Sequence, residues 1–329
     1  WATLRGIALP DWKQIEETPT RRIKGRFDAL SKIRKFRESI PDWLDELGVA
    51  ELGEDIWEKE IGALNKQAPV IIRVNTLKTD IQTLQQKLKD EGFETINLKD
   101  YPYALQLVER ANIFKTESFQ NGLFEVQDAS SQLVADFLDV KPGDRVVDTC
   151  AGAGGKSLHL AALMENKGQV IALDIYGNKL KELKRRAKRA GAHNIETRVI
   201  DNNKAIKKLH GKADKVLIDA PCSGLGVLSR NPDAKWKLEP EFLDRIRKTQ
   251  QEIIRQYSKI VKKGGKMVYA TCSVLPSENQ LQVKDFLASE EGKDFKLIED
   301  RKILSSKTGY DGFYMALLEK LDSKTSEQV

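Results

Sequence analysis

Cysteine is scarce in this chain: three residues in 329, at positions 150, 222 and 272. An odd number without close spacing argues against a disulfide framework. Thiols that stay reduced point to the cytoplasm. Histidine is equally scarce, with His159, His193 and His210. None stands near a cysteine in sequence, so no zinc or other metal site is expected. No apolar run approaches the roughly 20 residues needed to cross a bilayer, so no membrane partner is expected. The opening WATLRGIALPDWKQ is too poor in apolar residues for a signal peptide. No internal repeat is visible.

What is present is an ordinary globular balance, 40% hydrophobic and 32% charged. The net charge of +6 and pI near 9.0 are modest but locally concentrated. TPTRRIKGRFDALSKIRKFRES and KLKELKRRAKRAGAHN are both strongly basic. A polyanion such as RNA suits such segments, because phosphate neutralisation supplies most non-specific affinity. Solvated helix faces explain them equally well, and charge alone leaves both readings open.

Residues 1–65 read as a helical extension, with Phe27, Leu30, Ile33 and Phe36 forming one apolar stripe until Pro41 breaks the run. Residues 66–125 read as a small α/β module resembling RNA-recognition folds. APVIIRVNTLK, FETINL and ALQLVER are its strands, and TDIQTLQQKLKDEG is a helix capped by Thr79 or Asp80 and stopped at Gly92. From 126 to 320 strands and helices alternate with short loops, which implies a parallel, doubly wound Rossmann-like sheet. The tail, 321–329, is polar and expected to be disordered. A monomer is expected.

Ligands of such a sheet bind beyond the carboxyl ends of its strands. There the first strand runs into VVDTCAGAGGKS, whose Gly152, Gly154 and Gly155 permit tight turning and close ligand approach. The following helix can aim its first amides at a polar group. The loop matches neither GxGxxG nor the Walker A spacing. Asp174 ends the second strand, about 20 residues on, where an acid commonly binds ribose hydroxyls. Asp201 is placed at the end of the third strand, near an adenine, and Asp219 at the end of the fourth. Any one aspartate is common at a strand end; three on successive strands beside a glycine loop are harder to explain that way.

Two of the three cysteines follow apolar runs, in DAPCSGLGVLSRNPDAKWK and ATCSVLPSENQ. Free cysteines are usually small buried hydrophobes, but Pro221 and the SGLG that follows suggest a rigid turn presenting a thiol. Together the two motifs resemble the RNA cytosine-C5 methyltransferase family typified by RsmB. CAGAGGKS resembles that family's first cofactor motif, and RVNTLK (73–78), QDASSQLVADFL (127–138) and DGFYMALLEK (311–320) resemble further family blocks. The resemblance covers about residues 40–320. It implies S-adenosyl-L-methionine as cofactor, held by Cys150, Ala151, Gly152, Ala153, Gly154, Gly155, Lys156, Asp174, Asp201 and Asp219. It implies Cys272 as the nucleophile that adds to carbon 6 of cytosine. Cys222 would resolve the adduct and help remove the carbon 5 proton. Asp219 would contact the ring near N3, and Lys156 would hold acid and base in place. Cys150 reads as packing within the cofactor loop. Ala153 stands where the family commonly has proline, which removes some rigidity.

SRNPDAKWK adds Arg230, Lys235, Trp236 and Lys237 after the first cysteine motif. They fit a single-stranded RNA backbone with a stacked base, or a salt-bridged loop. The resemblance favours ribosomal RNA as substrate and leaves transfer RNA open. A catalytically silent RNA-binding assembly factor and a nicotinamide oxidoreductase are the alternatives of other classes. The intact cysteines and the missing dinucleotide fingerprint argue against each in turn.

Overall fold

The fold is read from a computed structural model that describes residues 2–322. Residues 323–329, and with them most of the expected tail, lie outside the described residues. Two sheets organise the chain. The first contains β1 (Ile71–Val74), β2 (Thr95–Asn97), β3 (Ala104–Leu107) and β4 (Phe124–Val126). Its order is β2-β3-β1-β4, with every neighbouring pair antiparallel. The helix Ile81–Asp90 covers it, and Asp80 caps that helix by accepting the Thr83 N–H at 2.8 Å.

The second sheet contains β5 (Arg145–Asp148), β6 (Gln169–Asp174), β7 (Ile195–Val199), β8 (Ala213–Asp219), β9 (Val261–Thr271), β10 (Phe295–Ile303) and β11 (Phe313–Lys320). The order is β10-β11-β9-β8-β5-β6-β7. Strands β9, β8, β5, β6 and β7 pair in parallel. The expected all-parallel sheet needs one correction. β11 runs antiparallel to both β9 and β10, because the short turn after Thr308 re-enters the sheet without a crossover helix.

Strand alternation divides the core between the two faces of this sheet. Val146, Ala172, Leu217 and Val268 face the helices Ala129–Phe137, Gly155–Leu163 and Gly177–Ala190. Val147, Ile171, Ile218 and Tyr269 face the helix Pro240–Ser258 and its neighbours. A third cluster joins the N-terminal helices Asp42–Leu52 and Glu54–Leu64 to the larger sheet's half of the chain. Leu44, Trp57 and Ile61 pack on Leu225, Leu228, Val274 and Leu275, which belong to the loops carrying the two cysteine motifs. The apolar stripe farther upstream behaves otherwise. The helix stops at Leu30 and another turn begins at Arg34, so Phe27, Leu30, Ile33 and Phe36 do not share one buried face; all four are exposed.

A buried carboxylate is one of the links between the two sheets. Glu125 on β4 accepts Arg186 at 2.9 Å and Arg189 at 2.5 Å, both from the helix Gly177–Ala190. Removing one partner of such a pair leaves buried charge uncompensated, at about 3–5 kcal/mol. Glu125→Ala should therefore lower the unfolding free energy by about 3 kcal/mol. Urea unfolding followed by fluorescence measures this, and a loss near zero would mean that the pair is not a fastening.

Candidate active site

Strand β5 connects onward to β6, whereas its neighbour β8 connects to β9 on the opposite side. Their carboxyl ends therefore flank a crevice, and the chain's reactive residues collect there. The loop after β5 makes the first wall. Gly152 and Gly154 have φ of 55° and 89°, and a Cβ on Gly154 would fall 2.4 Å from Leu183 Cγ. Glycine at 154 is thus required by both backbone and packing. Asp174 is buried at the end of β6 and accepts the Gly152 N–H and the Tyr176 N–H, each at 2.8 Å. This carboxylate fixes the loop and stands beside its glycines. Asp201 differs from expectation: β7 ends at Val199, and Asp201 lies two residues beyond it, exposed on a bend.

Two further side chains hold the loop by its carbonyls. Arg186 donates to Ala153 O at 2.9 Å, and Arg73 on β1 donates to Gly155 O at 2.6 Å. Arg73 is buried, and desolvation pushes its guanidinium down to about 9 despite Glu125. Cys150 packs beside the sheet, and burial pushes its thiol up, in keeping with a packing role.

Asp148, the last residue of β5, is a site residue that the sequence reading passes over. It is buried, Ser157 Oγ donates to its Oδ2 at 2.7 Å, and its Oδ1 has no partner. Desolvation and the nearby Asp219 push its carboxyl up to about 7. A polar atom left unpaired at the floor of a glycine-lined crevice is what a polar ligand would complete.

The opposite wall comes from β8 and β9. Lys156 Nζ donates to Asp219 Oδ2 at 2.6 Å. Burial alone would lower the ammonium, but Asp219 and Cys272 more than offset this and raise it. The two cysteines meet: Cys222 Sγ lies 3.2 Å from Cys272 Sγ, both half-buried. Lys156, Asp219, Cys222 and Cys272 thus form one constellation, as the motifs imply.

Glycine lets the two cysteine loops approach. Gly226 N–H donates to Cys272 O at 2.9 Å and Gly312 N–H to Gly226 O at 2.7 Å. A Cβ on Gly226 would meet Gly312 O at 2.2 Å. Glu278 joins the loops from below. Fully buried, it accepts Ser223 N–H at 2.8 Å, Ser223 Oγ and Ser273 Oγ at 2.5 Å each, and Gln250 Nε2 at 3.1 Å. Ser223 and Ser273 each follow a cysteine directly. The sequence offered little sign of this role, since PSENQ reads as a polar surface turn.

The open question over SRNPDAKWK resolves by residue. Arg230 is structural: it pairs with Asp311 and Asp128, at 2.7 Å each. Lys235 is buried and donates to Glu38 O at 2.9 Å and Asn65 Oδ1 at 2.6 Å. Trp236 is 60% exposed, and Lys237 is exposed and paired with Asp233. Among the described residues no group of three or more His, Cys, Asp or Glu gathers to hold a metal, and no helix is long and apolar enough to cross a membrane.

Asp148 supplies a pH test. Its carboxyl keeps its proton to about pH 7 when folded, whereas an unfolded aspartate loses it near pH 3.9. A folded pKa above the unfolded one means that native stability falls as pH rises between those values. Asp148→Asn should therefore gain stability over the parent as pH goes from about 4 to 8, by a few kcal/mol in total. Thermal unfolding across that range checks it; a pH-independent difference would count against it.

Comparison with known proteins follows the same lines. Residues 135–319 match the family model described as 16S rRNA methyltransferase RsmB/F. Residues 40–114 match the ferredoxin-like domain of RsmF/B-like methyltransferases. The probable ribosomal RNA small subunit methyltransferase B of Bacillus subtilis is 35% identical over 315 residues, covering 89% of this chain and 70% of its own. The solved structure of PH0851 superposes with TM-score 0.82 at 33% identity, covering 87% of this chain and 67% of that one. A methyltransferase homologue from Pyrococcus horikoshii gives TM-score 0.77 at 27% identity, covering 88% and 98%. The chain spans about two thirds of the length of the curated relatives it matches.

Proposed function

Since the chain belongs to the RsmB/F family of methyltransferases, we propose that it methylates carbon 5 of a cytosine in ribosomal RNA, using S-adenosyl-L-methionine. The observation that carries this reading is the contact of Cys222 with Cys272, 3.2 Å apart, beside the Lys156–Asp219 pair. A reaction needing one nucleophile would not need two thiols in contact at a crevice built for a ligand. Ribosomal RNA is favoured over transfer RNA by the relatives' names.

The residues of the crevice fit the cofactor. Asp174 presents a carboxylate for ribose hydroxyls, Gly152 to Gly155 leave room for close approach, and Asp148 Oδ1 is a buried acceptor without a partner. Asp201, exposed on the bend two residues beyond β7, would approach the adenine. When bound, the cofactor supplies an electrophilic methyl group on a sulfonium.

Carbon 5 of cytosine is too poor a nucleophile to take that methyl unaided. Addition of the Cys272 thiolate to carbon 6 forms a carbon–sulfur bond and turns carbon 5 into an enamine carbon. Asp219, held by Lys156, faces the ring near N3, and the Lys156 ammonium behind it offsets the negative charge that develops there. After methylation the carbon 5 proton leaves, its bonding pair re-forms the ring double bond, and Cys272 departs as a thiolate. Cys222 serves this last stage. The target base must leave its stack to enter. The exposed Trp236 offers a stacking face, and exposed Lys179, Lys181, Lys184, Arg185 and Lys188 offer charge for the backbone. On this reading the protein works as a monomer in the cytoplasm.

RNA carrying 5-fluorocytosine blocks the final proton loss and should leave a covalent protein–RNA adduct in the presence of methyl donor. Cys272→Ala should abolish that adduct and lower turnover by at least about 10³-fold. Cys222→Ala should instead accumulate adduct on unmodified RNA. Gel mobility under denaturing conditions reads both. Absence of adduct with the parent protein, or adduct persisting without Cys272, would exclude the reading. A silent assembly factor would show RNA binding with neither adduct nor turnover.

A further inference from the structure

Two thiols in contact share the same chemistry, the same crevice and similar exposure, yet only one of them can add to carbon 6. Something must decide which sulfur ionises. The contacts around the pair are unequal. Cys272 has the Lys156 ammonium on its side, and helps to hold that charge. Cys222 has Glu278 on its side, whose carboxylate accepts both the N–H and the hydroxyl of the very next residue, Ser223. The remaining groups about Cys222 are the Tyr269 phenol and the Gly224 N–H. Tyr269 is buried and bonds the carbonyl of Glu278 at 2.8 Å. Asp219 is paired to Lys156.

We propose that Glu278 is a positioning residue that assigns the roles of the two cysteines, by setting a buried negative charge beside Cys222 and by clasping both motif loops through Ser223 and Ser273. The charge makes a second anion next to it costly, so the Cys222 sulfur keeps its proton. Its hydrogen bond with Cys272 and its burial act in the same sense, and the Gly224 N–H opposes them. The thiolate therefore forms on Cys272, opposite Lys156. The clasp does the geometric half: the residues after both cysteines are tied to one carboxylate, so the sulfurs stay in contact.

The inference rests on the reading of Cys272 as nucleophile, but its test needs neither RNA nor methyl donor. The full chain, kept reduced, is treated with iodoacetamide at a series of pH values from about 6 to 10, and each cysteine peptide is quantified by mass spectrometry. The thiolate is the reactive form, so rate reports ionisation. In the parent protein Cys272 should react at least about tenfold faster than Cys222 near pH 7.5, one pKa unit being a factor of ten. Glu278→Gln keeps most of the hydrogen bonding and removes the charge. Its Cys222 curve should move to lower pH and the preference shrink to about threefold or less. The double variant Ser223→Ala, Ser273→Ala keeps the charge and should keep the preference.

If Glu278→Gln fails to fold by circular dichroism, Cys272→Ser decides instead. With Cys272 gone and Glu278 still present, the Cys222 midpoint should stay above the ordinary thiol value of about 8.5. An unchanged preference in folded Glu278→Gln, a faster Cys222 in the parent, or a midpoint at or below the ordinary value would overturn the proposal. Were the alkylation order as stated but no adduct formed on RNA, the methylation reading would fail and the assignment of ionisation would stand.

Discussion

Everything at the site hangs on one topological constraint. Strands β5 and β8 lie side by side, and their connections leave in opposite directions, so no loop crosses the gap at their ends. The gap is open by construction. Its walls are main chain held in a stiff parallel sheet, and the side chains at the strand tips inherit that stiffness. Asp148, Asp174, Asp219 and Cys272 come from four different strands, far apart in sequence, and need no private scaffolding to meet. Burial then gives each its character: a carboxyl beneath the crevice holds its proton, while a lysine beside an aspartate and a thiol keeps its charge.

The periphery serves that crevice. The N-terminal helices build a core against the two cysteine loops and not against the upstream basic segment. Glu51 accepts the N–H and hydroxyl of Ser277, next to Glu278, and Glu60 accepts the N–H groups of Ser305 and Ser306. Acids from one part of the chain thus finish the hydrogen bonding of turns in another, where a loop would otherwise leave amides unpaired. The small antiparallel sheet does the same for the glycine loop through Arg73.

Much of this was legible before the structure. Strand ends stand out because an apolar run stops at an acid or a glycine, and Asp174, Asp219, Cys222 and Cys272 all fell where that rule put them. The helix at 81–90 and its Asp80 cap were legible for the same local reason. What was illegible depends on partners remote in sequence. Arg230 and Lys235 stayed open between RNA contacts and a salt-bridged loop because nothing nearby in sequence names Asp128, Asp311 or Asn65 as their partners. Glu278 sits in a stretch whose composition belongs to any surface turn, and only burial marks it. Asp148 was hidden by its own motif, since the glycines after it drew the attention. The reversed β11 was missed because a strand's pattern carries its faces and not its direction. The stripe at 27–36 had helical spacing, but spacing does not supply something to pack against.

The glycine loop has alanine at 153, where the resemblance of its motif leads to an expectation of proline, and two arginines hold the carbonyls at 153 and 155. These are different means to a stiff loop. A proline ring restricts the chain whether or not it is folded, so it works by leaving the unfolded state less disordered. A guanidinium on a carbonyl acts only once β1 and the helix Gly177–Ala190 have docked. The order of this loop is therefore a property of assembly. It ties the readiness of the crevice to the seating of the domain beside it.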